Sequence, residues 1–196
     1  MERILEILII WPFCAFFISL FLPKNNEKLI SGFAFGVIGF HFFSIIGLLV
    51  LWANKGFPNI NIQEFSLYQG EDMHFFVDLY FDHVTAVYCV VGAMLTFLVT
   101  TYSRIYLHRE PGYKRFFYTI LFFYSGYMLA IFAGNLETLF IGWEILGITS
   151  FLLVAFYRER YLPVKNAFKV FSIYRIGDVG IILAMWASHH LSLIHI

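Results

Sequence analysis

The chain has 196 residues, of which 60% are hydrophobic, 21% aromatic and only 13% charged. An ordinary soluble domain carries about 25% charged residues, so this chain cannot cover a soluble surface, and the membrane is the class left standing. Thirteen basic and thirteen acidic side chains cancel, which argues against a nucleic-acid partner held through phosphate contacts.

A helix rising 1.5 Å per residue needs about 20 apolar residues to cross about 30 Å of hydrocarbon. On that measure the sequence predicts an all-α polytopic bundle of about six transmembrane helices. The first runs from about Ile4 to Leu22. A cleavable signal peptide is the competing reading, weakened by the acidic Glu2 and Glu6. It also lacks a small-x-small site before Pro23-Lys24-Asn25-Asn26. The second covers about Leu29 to Ala53, carries His41 in mid-span and places Gly32 and Gly36 on one face, a spacing expected to allow close helix approach.

Residues 54–78 form the one long polar stretch, and alternation over 59–68 predicts a short hairpin or an interfacial loop. The third span is expected over Leu79–Tyr106 and the fourth over Phe116–Ala133. Gly134-Asn135 marks a tight turn into the fifth, Leu136–Tyr157. After a basic stretch from Arg158 to Lys169, the sixth is expected over Val170–His189. The organisation is therefore two N-terminal helices (1–53), an extracytoplasmic loop (54–78), a four-helix unit (79–189) and a tail (190–196).

Sorted by loop, ten of the thirteen basic residues fall on one side of the membrane. They are Lys24 and Lys28, then Arg104, Arg109, Lys114 and Arg115, then Arg158, Arg160, Lys165 and Lys169. The other side holds Arg3 and Lys55 with Glu2, Glu64, Glu71, Asp72, Asp78 and Asp82. The positive-inside rule then predicts an extracytoplasmic N-terminus and three cytoplasmic basic loops.

Glu144, Arg175 and Asp178 have no loop to occupy. A charge at mid-helix costs on the order of 2.5–3.5 kcal/mol on insertion scales, so each needs a partner or a wet cavity. Glu144 lies between Gly142 and Gly147, which let neighbours approach, and Thr149 and Ser150 offer hydroxyls. In hydrocarbon a lone carboxylate is held more cheaply neutral than charged, and a group that exchanges between the two suits a proton carrier. A neutral Glu hydrogen-bonded between helices is the alternative. Arg175 and Asp178 are three residues apart and share a helix face, where an ion pair fixing the helix competes with a functional role. Arg175 suits a counter-ion better than a carrier, because a guanidinium does not deprotonate.

His41 is a candidate relay, against the alternative of a packing hydrogen bond. His189, His190 and His195 lack a Cys or carboxylate at ligand spacing, so no metal site is expected. Cys14 and Cys89 show no CxxC pattern. No phosphate loop, dinucleotide fingerprint, serine triad, haem or iron–sulfur spacing is present, so no cofactor and no redox enzyme acting through this chain alone are expected.

From Phe76-Val77-Asp78 through Tyr113-Lys114-Arg115-Phe116-Phe117, Asn135-Leu136 and Gly142-Trp143-Glu144 to Tyr174-Arg175-Ile176-Gly177-Asp178-Val179-Gly180, the chain resembles the antiporter-like membrane subunits. These comprise subunit L of respiratory NADH-quinone oxidoreductase and the large subunit of multisubunit cation/proton antiporters. The resemblance implies a proton-translocating module over 79–189 and at most a translocase subunit. Its expected partners are the lipid bilayer and other membrane subunits of a respiratory complex, with quinone reached only through the parent complex.

It further implies that Glu144 is the leading site residue, paired in the family with a lysine of a seventh helix. Arg175 and Asp178 belong to the nearby polar network. A bacterial inner membrane is the expected location. The run Arg158-Glu159-Arg160 followed by Pro163-Val164-Lys165-Asn166 looks more like a divergent branch of inorganic-carbon (bicarbonate/CO2) uptake systems. Its partner there is a cytoplasmic zinc-containing, carbonic-anhydrase-like subunit. A non-translocating structural or assembly subunit is the third reading. Family members are longer, and Leu191–Ile196 resembles translated sequencing-adapter read-through, so the tail is expected to be truncated and non-native.

Overall fold

Apolar runs of this length satisfy their backbone polar groups most completely as helices, and each one does so. The computed structural model describes residues 1–69 and 74–194, with side chains described except within 63–69, 74–75 and 189–194. Six helices and one hairpin follow in chain order. They are α1 (Glu2–Phe21), α2 (Glu27–Asn54), β1 (Ile60–Gln69), β2 (His74–Phe81), α3 (His83–Tyr106), α4 (Tyr113–Ile131), α5 (Leu136–Val154) and α6 (Tyr161–Ile194).

Three starts are set by side-chain caps. Asn26 accepts from Leu29 N at 3.1 Å, Asp82 from Thr85 N at 2.9 Å and Asn135 from Thr138 N at 2.8 Å, each satisfying an amide that the first turn leaves orphaned. The Asp82 cap explains why α3 begins at His83 and not at Leu79. Residues 79–81 instead complete β2, which pairs antiparallel with β1 from Ile60↔Phe81 to Gln69↔His74. Of the two forms expected for the polar stretch, the paired strands Ile60–Gln69 and His74–Phe81 are the hairpin.

The outer edge of β2 docks on the α4–α5 turn. Tyr80 N donates to Phe132 O at 2.7 Å, Gly134 N to Asp78 O at 2.8 Å and Asn135 Nδ2 to Phe76 O at 2.8 Å. Glu71 and Asp72 lie outside the described residues, as do the side chains of Glu64, His189 and His190 and all of His195.

Other helix boundaries also differ from expectation. The α5 helix stops at Val154, three residues early, and α6 starts at Tyr161, so Lys165 and Lys169 ride on a helix and not in a loop. Pro163 permits this, because its missing amide falls in the first turn, where no intrahelical partner exists.

Among the described residues, five helices (α1, α2, α3, α5 and α6) are long and apolar enough to cross a membrane, and the chain is a multi-pass membrane protein. The exception, α4, is the most enclosed. It packs against α1, α2, α3 and α5 and buries Thr119, Tyr124, Ser125 and Gly126. An interior helix faces protein instead of lipid, so it can carry hydroxyls where the outer helices carry exposed Phe40, Phe43, Val87, Ile105 and Ile176.

Close approach is concentrated at α4–α5. A Cβ on Gly142 would meet Ala130 N at 2.5 Å, and one on Gly126 would meet Ile145 Cγ2 at 2.5 Å. Gly32 and Gly36 do not serve the approach expected of them; nothing lies within 4 Å of either added Cβ.

Candidate functional site

The fold brings the three loop-less charges together. Glu144 lies in the third turn of α5 and points at α6, where Arg175 and Asp178 share a face. Arg175 Nη1 donates to Glu144 Oε2 and stands 3.1 Å from Asp178 Oδ2. The second contact is electrostatic, since Asp178 Oδ2 has no aligned hydrogen bond. Asp178 is the most buried member, its side chain 6% exposed against 23% for Glu144 and 36% for Arg175. The cluster thus opens along the outer side of α6. One guanidinium between two carboxylates leaves a formal excess of one negative charge.

Residues that the sequence reading did not single out complete the site. Trp143 Nε1 donates to Asp178 Oδ1 at 3.0 Å, which fixes the carboxylate that Arg175 approaches. Tyr174 OH donates to Trp143 O at 2.5 Å, and its ring stacks on the indole with centroids 5.0 Å apart. Phe171 lies under the Arg175 guanidinium at 4.7 Å, a cation–π contact. Gly147 makes room for Tyr174, whose Cε1 would be 2.2 Å from an added Cβ. The available signal was adjacency, Trp143 beside Glu144 and Tyr174 beside Arg175, with both aromatics carrying a polar handle that must be spent somewhere in lipid.

One expectation about this neighbourhood changes. Thr149 donates its hydroxyl hydrogen to its own helix, to Ile145 O at 2.6 Å, and not to the Glu144 carboxylate. Gly177 and Gly180, beside Asp178, meet nothing within 4 Å.

His41 stands apart from the charge cluster and is fully buried. Its Nε2 lies 2.8 Å from Leu8 O and its Nδ1 2.7 Å from Tyr124 OH. A carbonyl only accepts, so Nε2 carries the hydrogen and Nδ1 of the neutral ring accepts from the tyrosine. Leu8 is four residues before Pro12, which sits inside α1. Proline has no amide hydrogen, so the Leu8 carbonyl loses its intrahelical donor and His41 supplies the replacement from α2. A proton on Nε2 is held by an acceptor that cannot pass it on.

The comparisons with known proteins bear on the same segments. Residues 68–117 match the family described as NADH-Ubiquinone oxidoreductase (complex I), chain 5 N-terminus, and residues 133–193 match NADH:quinone oxidoreductase/Mrp antiporter, TM. All three charges fall in the second match. NADH-quinone oxidoreductase subunit L of Neisseria meningitidis is 33% identical over 155 residues, covering 76% of this chain and 23% of that protein. NADH-ubiquinone oxidoreductase chain 5 of Halichoerus grypus is 38% identical over 104 residues, covering 53% of this chain and 17% of its own length. The chain thus spans about a quarter or less of these curated relatives.

Among solved structures, the membrane-bound sulfane sulfur reductase, an archaeal respiratory membrane complex, contains a chain with the same fold. The TM-score is 0.75 at 21% identity, over 90% of this chain and 35% of that one.

Proposed function

We propose that this chain, which belongs to the antiporter-like membrane-subunit family of NADH:quinone oxidoreductases and Mrp antiporters, is part of a proton-translocating subunit of an ion-pumping membrane complex. The observation that carries the reading is the Glu144–Arg175–Asp178 cluster, held between the middles of α5 and α6, where a charge in a span costs most. In the family the matching glutamate pairs with a lysine; among the described residues here its partner is Arg175.

In this reading Arg175 is the permanently charged counter-ion and Glu144 the group that takes and gives the proton. Asp178, oriented by Trp143, competes with Glu144 for the same guanidinium. When Arg175 leans to Asp178, Glu144 loses its stabilising charge and takes up a proton; the reverse swing releases it. The N-terminus lies outside the cell and the basic helix ends lie in the cytoplasm of a bacterial inner membrane, following the charge segregation. Other membrane subunits complete the complex. We assign His41 a structural role, because both ring nitrogens are spent on Leu8 and Tyr124.

The test is Glu144→Gln in the complete protein within its native complex, read as proton pumping in proteoliposomes alongside assembly on a native gel. Loss of pumping with assembly intact is expected, and wild-type pumping refutes the role. A purely structural cluster predicts the opposite pattern, with pumping kept and folded yield lowered by Arg175→Ala. The run from Arg158 to Asn166 keeps the inorganic-carbon reading in play. Co-purification separates the two: a flavin and iron–sulfur arm supports the respiratory assignment, and a zinc protein without redox centres overturns it in favour of carbon uptake.

A further inference from the structure

At the opposite end of α5 from its Asn135 cap, the turn into α6 and the loop before α4 enclose a cavity of about 320 Å³ lined by Arg115, Arg158 and Arg160. The arginines are placed by the chain's own chemistry. Arg115 folds back from the first turn of α4 and donates through Nη2 to Phe156 O at 2.7 Å, with its Cζ 5.4 Å from the Phe156 ring. Glycine suits position 112, where φ is +100°, a backbone conformation in which any other side chain is strained. Arg158 N and Arg160 N close a tight turn onto Phe156 O and Tyr157 O, and the Arg160 guanidinium lies 4.7 Å from the Tyr157 ring.

Three arginines against two glutamates leave the cavity lining a formal excess of one positive charge. Glu110 and Glu159 also line the cavity. Yet among the described residues the ion pairs within 4 Å are His108–Glu27, Arg175–Glu144 and Arg175–Asp178, and none involves these arginines. Arg158 is close enough to Arg115 to repel it, and Arg115 Nε is buried without a hydrogen-bond partner. The helix beginning at Tyr113 adds its positive end, with no side-chain cap on Gly112. Guanidinium forks match the oxygens of a phosphate, and helix ends flanked by Phe156, Tyr157 and Tyr161 lie at headgroup depth.

We propose that this cavity binds the phosphate of an anionic phospholipid headgroup, tying the α3–α4 and α5–α6 connections to the membrane surface.

The test titrates the purified protein in detergent with phosphatidylglycerol and with phosphatidylcholine, read by native mass spectrometry. Phosphatidylglycerol is expected to bind at least about tenfold more tightly. The double variant Arg158→Gln/Arg160→Gln is expected to weaken it by about 10- to 30-fold, near fivefold per arginine, with phosphatidylcholine unchanged. Arg158→Lys/Arg160→Lys keeps the charge without the fork and is expected to fall between. It also serves if the glutamine variant fails to fold, when no loss relative to wild type overturns the site.

Three further results overturn the proposal. They are equal binding of the two lipids, an equal loss from Lys24→Gln/Lys169→Gln, or displacement of phosphatidylglycerol by inorganic phosphate below about millimolar, which would make free phosphate the ligand.

Discussion

The proline in α1 and the histidine in α2 are coupled through one carbonyl, and the coupling is measurable. His41→Leu keeps comparable bulk at a fully buried site but removes both ring nitrogens. It leaves Leu8 O without a donor, because residue 12 is proline, and leaves the Tyr124 hydroxyl without its acceptor. Each buried group left unpaired costs about 1–3 kcal/mol, so the variant should lose about 2–6 kcal/mol. Pro12→Ala returns an amide hydrogen at the position where Leu8 O expects one. In that background only the tyrosine is orphaned, and the same His41→Leu change should cost about 1–3 kcal/mol less.

The assay is a double-mutant cycle on unfolding free energy, from sodium dodecyl sulfate titration in mixed micelles followed by circular dichroism. Additive single effects, with a coupling under about 0.5 kcal/mol, would refute the reasoning. A relay role for His41 would instead show as lost transport at unchanged stability.

Four further outcomes follow from named contacts. Gly142→Ala should destabilise by about 1–3 kcal/mol, since the new methyl meets the α4 backbone at Ala130, whereas Gly177→Ala, with open space around it, should be neutral; thermal midpoints in detergent compare them. Asp82→Ala removes the α3 cap and should cost about 1 kcal/mol.

The cap bond holds the Asp82 carboxyl below its usual range, so its stabilisation is full above about pH 4 and lost as pH falls through the depressed value. Asp82→Asn should flatten that acid limb of the stability curve. Asp78 has the opposite sign. Burial raises its carboxyl, its Oδ1 has no partner, and stability is lost as pH rises through the raised value. Asp78→Asn should therefore raise the midpoint at pH 7 and change little near pH 3.

Hydropathy made the spans legible, because crossing a bilayer is a demand on each segment separately and a run of apolar residues answers it locally. The same logic exposed Glu144, Arg175 and Asp178, for a charge with no loop to occupy stands out in one dimension. It misjudged what lies beside the spans. Leu79–Phe81 read as helix because they are apolar, yet they pair as strand once Asp82 caps α3 and the α4–α5 turn offers Phe132 O to the Tyr80 amide. Lys165 and Lys169 read as loop because they are charged, although a helix continues through the interface into water without penalty.

Lateral relations belong to the tertiary structure. The pairing of Arg175 with Glu144 thirty-one residues away depends on how α5 and α6 are rotated and staggered. Pro12 and His41 are twenty-nine residues apart and meet through a third residue's carbonyl, which no periodicity connects. The interior place of α4, the least membrane-like helix by composition, follows from its neighbours on four sides. Insertion is decided by what each helix presents to lipid, and function by which buried polar groups the packed helices place within hydrogen-bonding distance of one another.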